Sequence, residues 1–384
     1  MTLRSAIQSA LALAVPLLAV EPSIGPGPLI THEWGTFTTV AREDGSSVRW
    51  APLSGPADLP CFVANLGSTT FKQRSSGLVR METPVLYFYS AEPVTLSVRV
   101  GFPHGWITEW YPFATSVIPS SPGTAPVSPY AGGTIRWDSV EVLPGHAPTL
   151  PKSARASHYY AARETDSAPL RIGTQWEKLI FYRGVGDFQV PLRPVFTHEK
   201  SVRIENLGPE TIPLAILFEN RDGKIGYLSA RSLGVSTEIK LPDLTTDLST
   251  LRRELSNELV EFGLYRKEAL AMIETWRDSW FEEGMRLFYI VPRTTVDALL
   301  PLDIKPAPSS IARVFVGRIE MLSPATREII EAASATGDSQ RLTKMGRFLG
   351  PWITQMEREN PGRPRSSVVQ SIFRQPLSGP GCVQ

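Results

Sequence analysis

Four carboxylates stand beside the predicted ends of strands, where they could carry out acid–base chemistry. Glu82 leads into an aromatic run, and Glu109 directly precedes another. Glu164 and Asp166 are two residues apart, so both side chains point to the same side of an extended chain. Two carboxylates can divide the acid and base roles in the hydrolysis of a glycosidic bond. These four residues are therefore our candidate catalytic residues.

The stretch around Glu164 also contains the donors of a metal site. His158 is close enough in the chain to join Glu164 and Asp166. Carboxylate oxygens are the ligands of a hard divalent cation such as calcium, which is the cofactor this donor set would take. The alternative is a structural network in which Arg163 neutralises the carboxylates. Arg183, in a neighbouring predicted strand, would add a second positive charge to it.

An early histidine and tryptophan are candidate ligand-binding residues. If residues 31–38 form a strand, His32 and Trp34 point to one face and Glu33 points to the other. His32 and Glu33 then cannot act on one substrate. An acid for this site must come from elsewhere, with Glu82, Glu109 and Glu164 as the candidates. The alternative is that His32 is a core histidine beside a packed tryptophan.

Further candidates for ligand binding precede the first long loops. Arg80 and Glu82 share one face of a strand by the same alternation, either as an ion pair or as the lining of a pocket. Trp110 and Tyr111 follow Glu109 at a strand end, and a carboxylate beside two aromatic rings suits contact with a sugar.

The familiar catalytic signatures are incomplete in this chain. His32-Glu33 opens like a zinc-binding helix, but Thr36 stands where the second histidine belongs. Residues 184–189 lack the third glycine of a dinucleotide-binding loop. The chain contains neither a Gly-x-Ser-x-Gly elbow nor a phosphate-binding loop that ends in Gly-Lys-Ser/Thr.

Several stretches together resemble a family of exported bacterial proteins of unknown activity. They are THEWGTFTTV (31–40), RMETPVLYFYS (80–90), ITEWYP (107–112), HYYAARETDSAPLR (158–171), EKLIFYRGVGDF (177–188) and RVFVGRIEMLSP (313–324). The resemblance extends over most of the chain after residue 30. It implies export and assigns no activity.

The first 25 residues have the pattern of an export signal. Arg4 gives a positive start, and residues 10–20 form an apolar run that Pro16 interrupts. This run suits a signal peptide and is shorter than the roughly 20 residues of a membrane helix. We therefore expect residues 1–25 to be removed and the protein to reach the periplasm or the outside without a membrane span. An uncleaved anchor is the alternative.

Charge and cysteine content limit the partners and the compartment. The chain has 39 basic and 38 acidic residues without a basic block, which argues against a nucleic-acid partner. Cys61 and Cys382 are the only cysteines. They would pair in an oxidising compartment, and a buried thiol at Cys61 is the alternative.

Strand patterns dominate residues 29–235. Apolar and polar residues alternate over 94–100, which predicts a half-buried strand. Residues 85–89 and 179–182 are apolar or aromatic on both faces, which predicts central strands. A second apolar strand follows each of them, so we expect two packed sheets or two sandwich modules in tandem.

Helical patterns begin near residue 244. Leu251, Leu255 and Leu259 recur at helical spacing, with Ser249 or Thr250 as the N-cap, and a second helix is predicted over 266–281. Strands return at 285–291 and 313–322. The predicted class is mainly β and sandwich-like, with a helical hairpin and further helices in the C-terminal third, α+β overall.

These patterns divide the chain into four parts. Residues 1–25 are the signal peptide, 26–243 a β-rich region, 244–356 a mixed region packed on it, and 357–384 a mobile tail. Three functions fit this organisation. The first is a cell-envelope binding or structural protein, with a glycan or another envelope component as partner. The others are a carboxylate-dependent hydrolase of an extracellular or periplasmic glycan, and a metal-binding protein.

Overall fold

A computed structural model describes most of the chain after residue 27. The described residues are 28–53, 59–66, 76–120, 132–154, 156–197, 200–362 and 366–374. The predicted signal peptide and Cys382 lie outside these ranges.

The described strands form three sheets. In chain order they are β1 (Ile30–Ala41), β2 (Ala64–Asn65), β3 (Val79–Tyr89), β4 (Val94–Phe102), β5 (Gly105–Tyr111), β6 (Ser116–Ile118), β7 (Gly133–Val142), β8 (Leu170–Ile172), β9 (Gln175–Glu177), β10 (Ile180–Gly186), β11 (Leu192–Phe196), β12 (Ser201–Asn206), β13 (Ile212–Arg221), β14 (Lys224–Leu233), β15 (Ser236–Lys240), β16 (Gly284–Ile290), β17 (Leu302–Lys305) and β18 (Ser310–Met321).

The strand predicted at residues 31–40 is confirmed as β1, and it lies in the middle of the largest sheet. The order of this nine-stranded sheet is β14–β13–β16–β18–β1–β3–β10–β5–β2. β1 pairs in parallel with β18 and antiparallel with β3, so both of its edges are hydrogen-bonded. Every residue from Thr31 to Ala41 is buried. A Cβ atom on Gly35 would lie 2.6 Å from the Phe315 ring, so glycine is needed for this close packing.

One face of the nine-stranded sheet packs against the two smaller sheets. One of these has the order β17–β4–β7–β8–β9, with β6 beside β7, and the other has the order β11–β12–β15. All three sheets contribute to one apolar core, for example through Phe37, Trp137 and Ile204. The mainly β, sandwich-like prediction is therefore confirmed, as packed sheets that share one core.

The two similar segments of the sequence occupy equivalent layers. β3 and β10 are neighbours in the nine-stranded sheet. The chain then crosses from β3 to β4 in the six-stranded sheet, and from β10 to β11 in the three-stranded sheet. In both segments a central strand of the nine-stranded sheet is thus followed by a strand of the second layer, as the two predicted strand pairs indicated.

The described helices are α1 (Leu248–Glu261), α2 (Arg266–Thr275), α3 (Arg277–Trp280), α4 (Arg293–Leu299), α5 (Pro324–Thr336), α6 (Ser339–Thr343), α7 (Leu349–Glu359) and α8 (Ser367–Arg374), with 3₁₀ helices η1 (His158–Arg163) and η2 (Gly346–Phe348). All of them except α4 cover the opposite face of the nine-stranded sheet. α4 packs through Val296 into the core that the three sheets share.

Two apolar clusters hold these helices on the sheet. α1 and α2 pack with Trp34 of β1, and α5 to α8 pack with Val40 of the same strand. The hairpin of α1 and α2 is confirmed, although the side chain of Asp247 rather than Ser249 or Thr250 caps α1. The second helix ends at Thr275 and not at Phe281, because Trp276 leaves helical geometry at φ −108°.

The regions before and after residue 243 are joined in one sheet. β16 and β18 lie between β13 and β1, so the later region supplies central strands as well as covering helices. The predicted tail also differs from the structure at its start. α7 continues to Glu359, and α8 packs against the body through Val369, which is 1% exposed.

Two further observations bear on the environment of the protein. Among the described residues, no helix is both long enough and apolar enough to cross a membrane. Cys61 is disulfide-bonded, and the sequence contains one other cysteine, Cys382.

Candidate functional site

One face of β1 is covered by the helices, and we call it the helical face. At its centre, between two apolar clusters, it carries polar residues. Trp34 belongs to the core under α1 and α2, and Val40 belongs to the core under α5 to α8. Thr36 and Thr38 lie between them on the same face, because side chains alternate along a strand. Thr36 pairs with Glu82 of β3, and Thr38 pairs with Arg80 of β3.

Charged residues on five neighbouring strands extend this interruption across the sheet. Glu109 of β5 pairs with Arg183 of β10, whose guanidinium lies over the Phe181 ring on the helical face. On the other side, β18 pairs with β16 through Glu320 and Arg286. We call this set the polar band, and every member is at most 9% exposed. Its members are Thr36, Thr38, Arg80, Glu82, Glu109, Arg183, Arg286, Arg318 and Glu320.

Three residues of the helical layer lie over the polar band. Ser279 lies on α3, Glu282 precedes β16, and Arg347 lies in η2. We call them the rim, because they keep some contact with solvent: the side chains of Glu282 and Arg347 are 18% and 15% exposed. The rim is therefore the accessible edge of a buried site.

Arg318 connects the polar band to the rim. Its guanidinium donates to Glu320 at 2.9 Å, to Glu282 at 3.0 Å and to Ser279 Oγ at 2.8 Å. Arg286 donates to the second oxygen of Glu320 at 3.0 Å. Buried charges of this kind persist only when paired, because removal of one partner leaves the other uncompensated at a cost of about 3–5 kcal/mol.

Glu82 is held in its ionised form. Arg347 donates to both of its oxygens, at 2.7 and 3.1 Å. Burial disfavours the charged form, but the positive charges of Arg347 and Arg80 outweigh this effect and hold the pKa of Glu82 at about 2. Glu82 therefore serves as a fixed negative charge and not as a proton donor.

Glu282 is shifted in the opposite direction. Burial raises its pKa above the ordinary value of a glutamate, although Arg318, Arg286 and Arg347 oppose this shift. The pKa of Glu82 is thus lowered and that of Glu282 is raised, although both lie near Arg318 and Arg347. Opposite shifts of this kind are typical of carboxyl pairs in which one serves as a carboxylate and the other as an acid. Gly346 adopts φ 53°, where a side chain is strained, and a Cβ atom on it would lie 2.5 Å from Glu282 Oε2, so glycine is needed beside this carboxylate.

Two hydroxyl groups in the polar band are fully buried. Among the described residues, neither Thr36 Oγ1 nor Thr38 Oγ1 has a hydrogen-bond partner, and the two residues are 1% and 0% exposed. A buried polar group without a partner costs about 1–3 kcal/mol. Thr83 beside them adopts φ 46°, a conformation that is rare for a β-branched residue. Unpaired buried groups and local strain are concentrated at functional sites.

The structure confirms that His32 and Glu33 point to opposite faces. Glu33 accepts from Tyr182 and from Arg313, the latter at 2.5 Å. On the helical face, His32 Nδ1 lies 2.8 Å from Glu268 Oε2, and Tyr89 donates to Glu268 Oε1 at 2.6 Å. The acid beside His32 is thus Glu268 of α2, which was absent from the predicted candidates Glu82, Glu109 and Glu164.

The predicted aromatic candidates are mostly packed inside the protein. Trp34 and Tyr111 are 0% and 3% exposed and belong to the core under α1 and α2. Trp110 is half-buried beside the main core. Of the candidate carboxylates near them, Glu109 is buried and accepts from Thr108 at 2.5 Å.

Arg163 forms an ion pair, but not with the carboxylates of the network predicted as the alternative to a metal site. Its partner is Glu177, with which it forms a 2.6 Å contact, and not Glu164 or Asp166. The guanidinium also lies over the Tyr159 and Tyr160 rings. This side chain therefore anchors η1 on the sheet.

The structure does not bring His158, Glu164 and Asp166 together as a metal-binding group. His158 Nε2 lies 2.8 Å from Asp278, and Asp166 lies 2.5 Å from Lys267. Within the part of the chain that the structure describes, no group of three His, Cys, Asp or Glu side chains could hold a metal ion. Glu164 and Asp166 are both exposed and Thr165 between them is buried, so the two carboxylates share one side of the chain as the alternation predicted.

Of the proposed catalytic carboxylates, Glu82 and Glu109 lie in the buried polar band. Glu164 and Asp166 lie outside it, on the surface. Arg80 and Arg183 of the polar band were also among the predicted candidates, whereas Arg286, Arg318 and Glu320 were missed. The sequence could have indicated Arg318, Glu320 and Arg286 as site residues, because they are charged residues within otherwise apolar strands. The sequence could not have indicated Arg347, because the position of this residue over the sheet depends on the packing of η2.

Comparison of the chain with protein-family models and with curated proteins found no match. The resemblance to exported bacterial proteins with the THEWGTFT stretch therefore stays a prediction.

Proposed function

We propose that this protein is an exported protein of the cell envelope that binds an anionic envelope component, such as an acidic glycan, at the polar band. The observation that carries this proposal is the pair of buried threonine hydroxyls without partners among the described residues. A bound ligand with acceptor oxygens would satisfy both hydroxyls and remove their cost.

The charge of the polar band and rim favours an anion. Together they contain five arginines and four glutamates, so the arginines are in excess even with every glutamate ionised. Guanidinium groups recognise carboxylate and phosphate through paired hydrogen bonds. An acidic glycan offers such groups together with hydroxyls.

Binding of an acidic oligosaccharide tests the proposal. Calorimetric titration with oligogalacturonate would compare the wild type with the double variant Thr36→Val and Thr38→Val. We expect saturable binding by the wild type and a loss of affinity of at least about tenfold, or 1.4 kcal/mol, in the variant. Inorganic phosphate serves as a second probe without sugar hydroxyls.

A matched control lies on the same strand. Thr39→Val removes a hydroxyl from the opposite face of β1, where Thr39 Oγ1 contacts a backbone oxygen at 3.5 Å. We expect this variant to bind like the wild type. Absence of binding of both probes to the wild type, or equal binding by the double variant, would refute the proposal.

The proposed export is supported by the apolar run at residues 10–20 and by the disulfide state of Cys61. Disulfides persist in oxidising compartments outside the cytosol. The mass of the secreted protein is the test. Loss of about the first 25 residues is expected, and an intact Met1–Val20 segment would contradict cleavage.

A carboxylate-dependent hydrolase of the same glycan is the second candidate. It is favoured by the opposite pKa shifts of Glu82 and Glu282 around shared arginines. In this case Glu282→Gln abolishes release of reducing ends from the glycan while binding persists. If the wild type binds the glycan without releasing reducing ends, the hydrolase function is excluded and only the binding function remains.

A further inference from the structure

The nine-stranded sheet has one long edge. It ends at β2 on one side, which has 2 residues, and at β14 on the other, which has 10. β14 contains no proline, and its register with β13, which is described throughout, shows no bulge. Proteins protect long edges with such features, because the unpaired N–H and C=O groups of an edge bind further strands. β14 is therefore a place where another strand can pair.

Only the beginning of this edge is covered. Thr246 donates its backbone N–H to Ile225 O at 3.0 Å. A Cβ atom on Gly226 would lie 2.2 Å from Asp243 O. Residues 227–232 lie beyond this cover, and four of these six residues are exposed. Among the described residues, no backbone hydrogen bond reaches their outer side, so we call residues 227–232 the open edge.

The covered part shows which backbone groups of the open edge face outwards. In a strand, the N–H and C=O of one residue point to the same edge, and those of the next residue point to the opposite edge. Ile225 O faces outwards, because it accepts from Thr246. The N–H and C=O groups of Tyr227, Ser229 and Arg231 therefore face outwards as well. These three residues offer three donors and three acceptors to another strand.

The side chains of the open edge differ between the two faces of the sheet. Tyr227 packs with the apolar cluster under α1, whereas Ala230 packs with the core that the three sheets share. Leu228 is on the same face as Ala230 by alternation and is 40% exposed. On the helical face, Arg231 donates to Glu258 of α1 at 2.5 Å. The open edge thus carries an exposed apolar residue on one face and a charged residue on the other.

Pairing with a second copy of β14 has one favourable register. Two antiparallel copies of a strand are related by a two-fold axis, which here must lie at a residue whose backbone groups face outwards. An axis at Ser229 places Leu228 opposite Ala230 of the second copy. It also places Tyr227 opposite Arg231 of the second copy. An axis at Arg231 would bring like charges together, and an axis at Tyr227 would require the covered part of the strand.

Charge complementarity also favours a second copy. Tyr227 is hydrogen-bonded to Glu254 of α1, so Arg231 of the second copy would come near this carboxylate. Glu258 and Glu261 of the same helix already accept from Arg231 of their own chain. The three glutamates give this side of α1 a negative charge. The guanidinium of a second copy is the kind of group that balances it.

We propose that the protein associates with a second copy of itself through antiparallel pairing of the two open edges about Ser229. The pairing joins two nine-stranded sheets into one continuous sheet. Opposing residues of antiparallel strands share a face, so both helical layers lie on the same side of the joined sheet. This association does not depend on the ligand proposed for the polar band.

An introduced cysteine tests the register. In a hydrogen-bonded antiparallel pair the Cα atoms are about 5.5 Å apart, which a disulfide can bridge. Ser229→Cys should therefore give a covalent dimer on mild oxidation of the full chain. Val235→Cys is the matched control, because Val235 lies just beyond β14 and is 84% exposed to random collisions. We expect Ser229→Cys to cross-link at least about tenfold faster, since pairing holds its thiols together. Equal rates, or faster cross-linking of Val235→Cys, would overturn the proposal.

Analytical ultracentrifugation tests the association itself. A short strand pair forms a small interface, so the wild type is measured at concentrations up to about 200 µM, where we expect a reversible dimer. Ser229→Pro removes an outward N–H that β13 does not use, and it should raise the dissociation constant at least about tenfold without lowering the urea midpoint. Leu228→Lys should weaken association as well, which excludes a local effect of proline. A wild type that stays monomeric over this range, or normal association of both variants, would overturn the proposal.

Discussion

Replacement of Thr36 and Thr38 by valine tests the energetic basis of the polar band. Both threonines are buried on the helical face of β1, and neither hydroxyl has a partner among the described residues. Valine has nearly the same shape and is also β-branched, so it suits the strand and leaves no cavity. The substitution therefore removes two hydroxyl groups and changes little else.

The expected effect is a gain in stability. An unpartnered buried hydroxyl costs about 1–3 kcal/mol, and replacement by an apolar group of the same shape removes that cost. The two sites are neighbours on one face, so their effects need not add fully. We expect the free energy of unfolding of the ligand-free double variant to rise by about 2–4 kcal/mol. A residue retained at such a cost indicates selection for function rather than for stability.

Urea denaturation at neutral pH, followed by tryptophan fluorescence, measures this change. An unchanged m-value shows that the difference is one of stability. Thr39→Val on the opposite face of β1 is the control and should shift the unfolding free energy by less than about 0.5 kcal/mol. A loss of more than about 1 kcal/mol in the double variant would show that the hydroxyls are hydrogen-bonded and would refute the reasoning.

Three further predictions concern the charged groups. Arg318→Met should destabilise the protein by about 3–5 kcal/mol in urea denaturation, because Glu320 and Glu282 lose a buried partner; a loss below about 1 kcal/mol would contradict this pairing. The depressed pKa of Glu82, about 2 against 4.5, gives stability that is present above pH 4.5 and lost as the pH falls towards 2, roughly 3 kcal/mol in all. Glu82→Gln should flatten this part of the acid unfolding curve, and an unchanged curve would argue against the shift. Gly346→Ala should cost more than about 1 kcal/mol, since φ is 53° and the added Cβ would meet Glu282; normal thermal unfolding would contradict that contact.

Alternation along single strands was predictable from the sequence. The opposite orientations of His32 and Glu33 and the shared face of Arg80 and Glu82 depend only on the two-residue period. The same rule predicted that Glu164 and Asp166 lie on one side of the chain. These inferences hold because they need no information about neighbouring strands.

The partners of these residues were not predictable in the same way. Glu33 contacts Arg313, 280 residues later, because β1 pairs in parallel with β18. Glu82 contacts Arg347 because η2 lies over the sheet. Such pairings depend on strand order and helix packing, which no local pattern specifies. Sequence reasoning therefore identified four of the seven charged residues of the polar band and none of the rim. The four are Arg80, Glu82, Glu109 and Arg183.

Arg163 shows why a local sequence pattern can indicate the wrong ion-pair partner. Glu164 is adjacent in the chain, yet it caps η1 and faces solvent. Glu177, 14 residues away, lies buried against Arg163 because β9 returns alongside η1. Burial, which the local sequence does not give, decides which carboxylate becomes the partner.

The most direct test of an anion site in the polar band is a crystal structure of the protein grown with oligogalacturonate. We expect ligand density with acceptor oxygens about 2.7–3.0 Å from both Thr36 Oγ1 and Thr38 Oγ1 and within reach of the rim residues Arg347 and Ser279. Ordered water alone at both hydroxyls, with the sugar absent or bound elsewhere, would contradict the proposal.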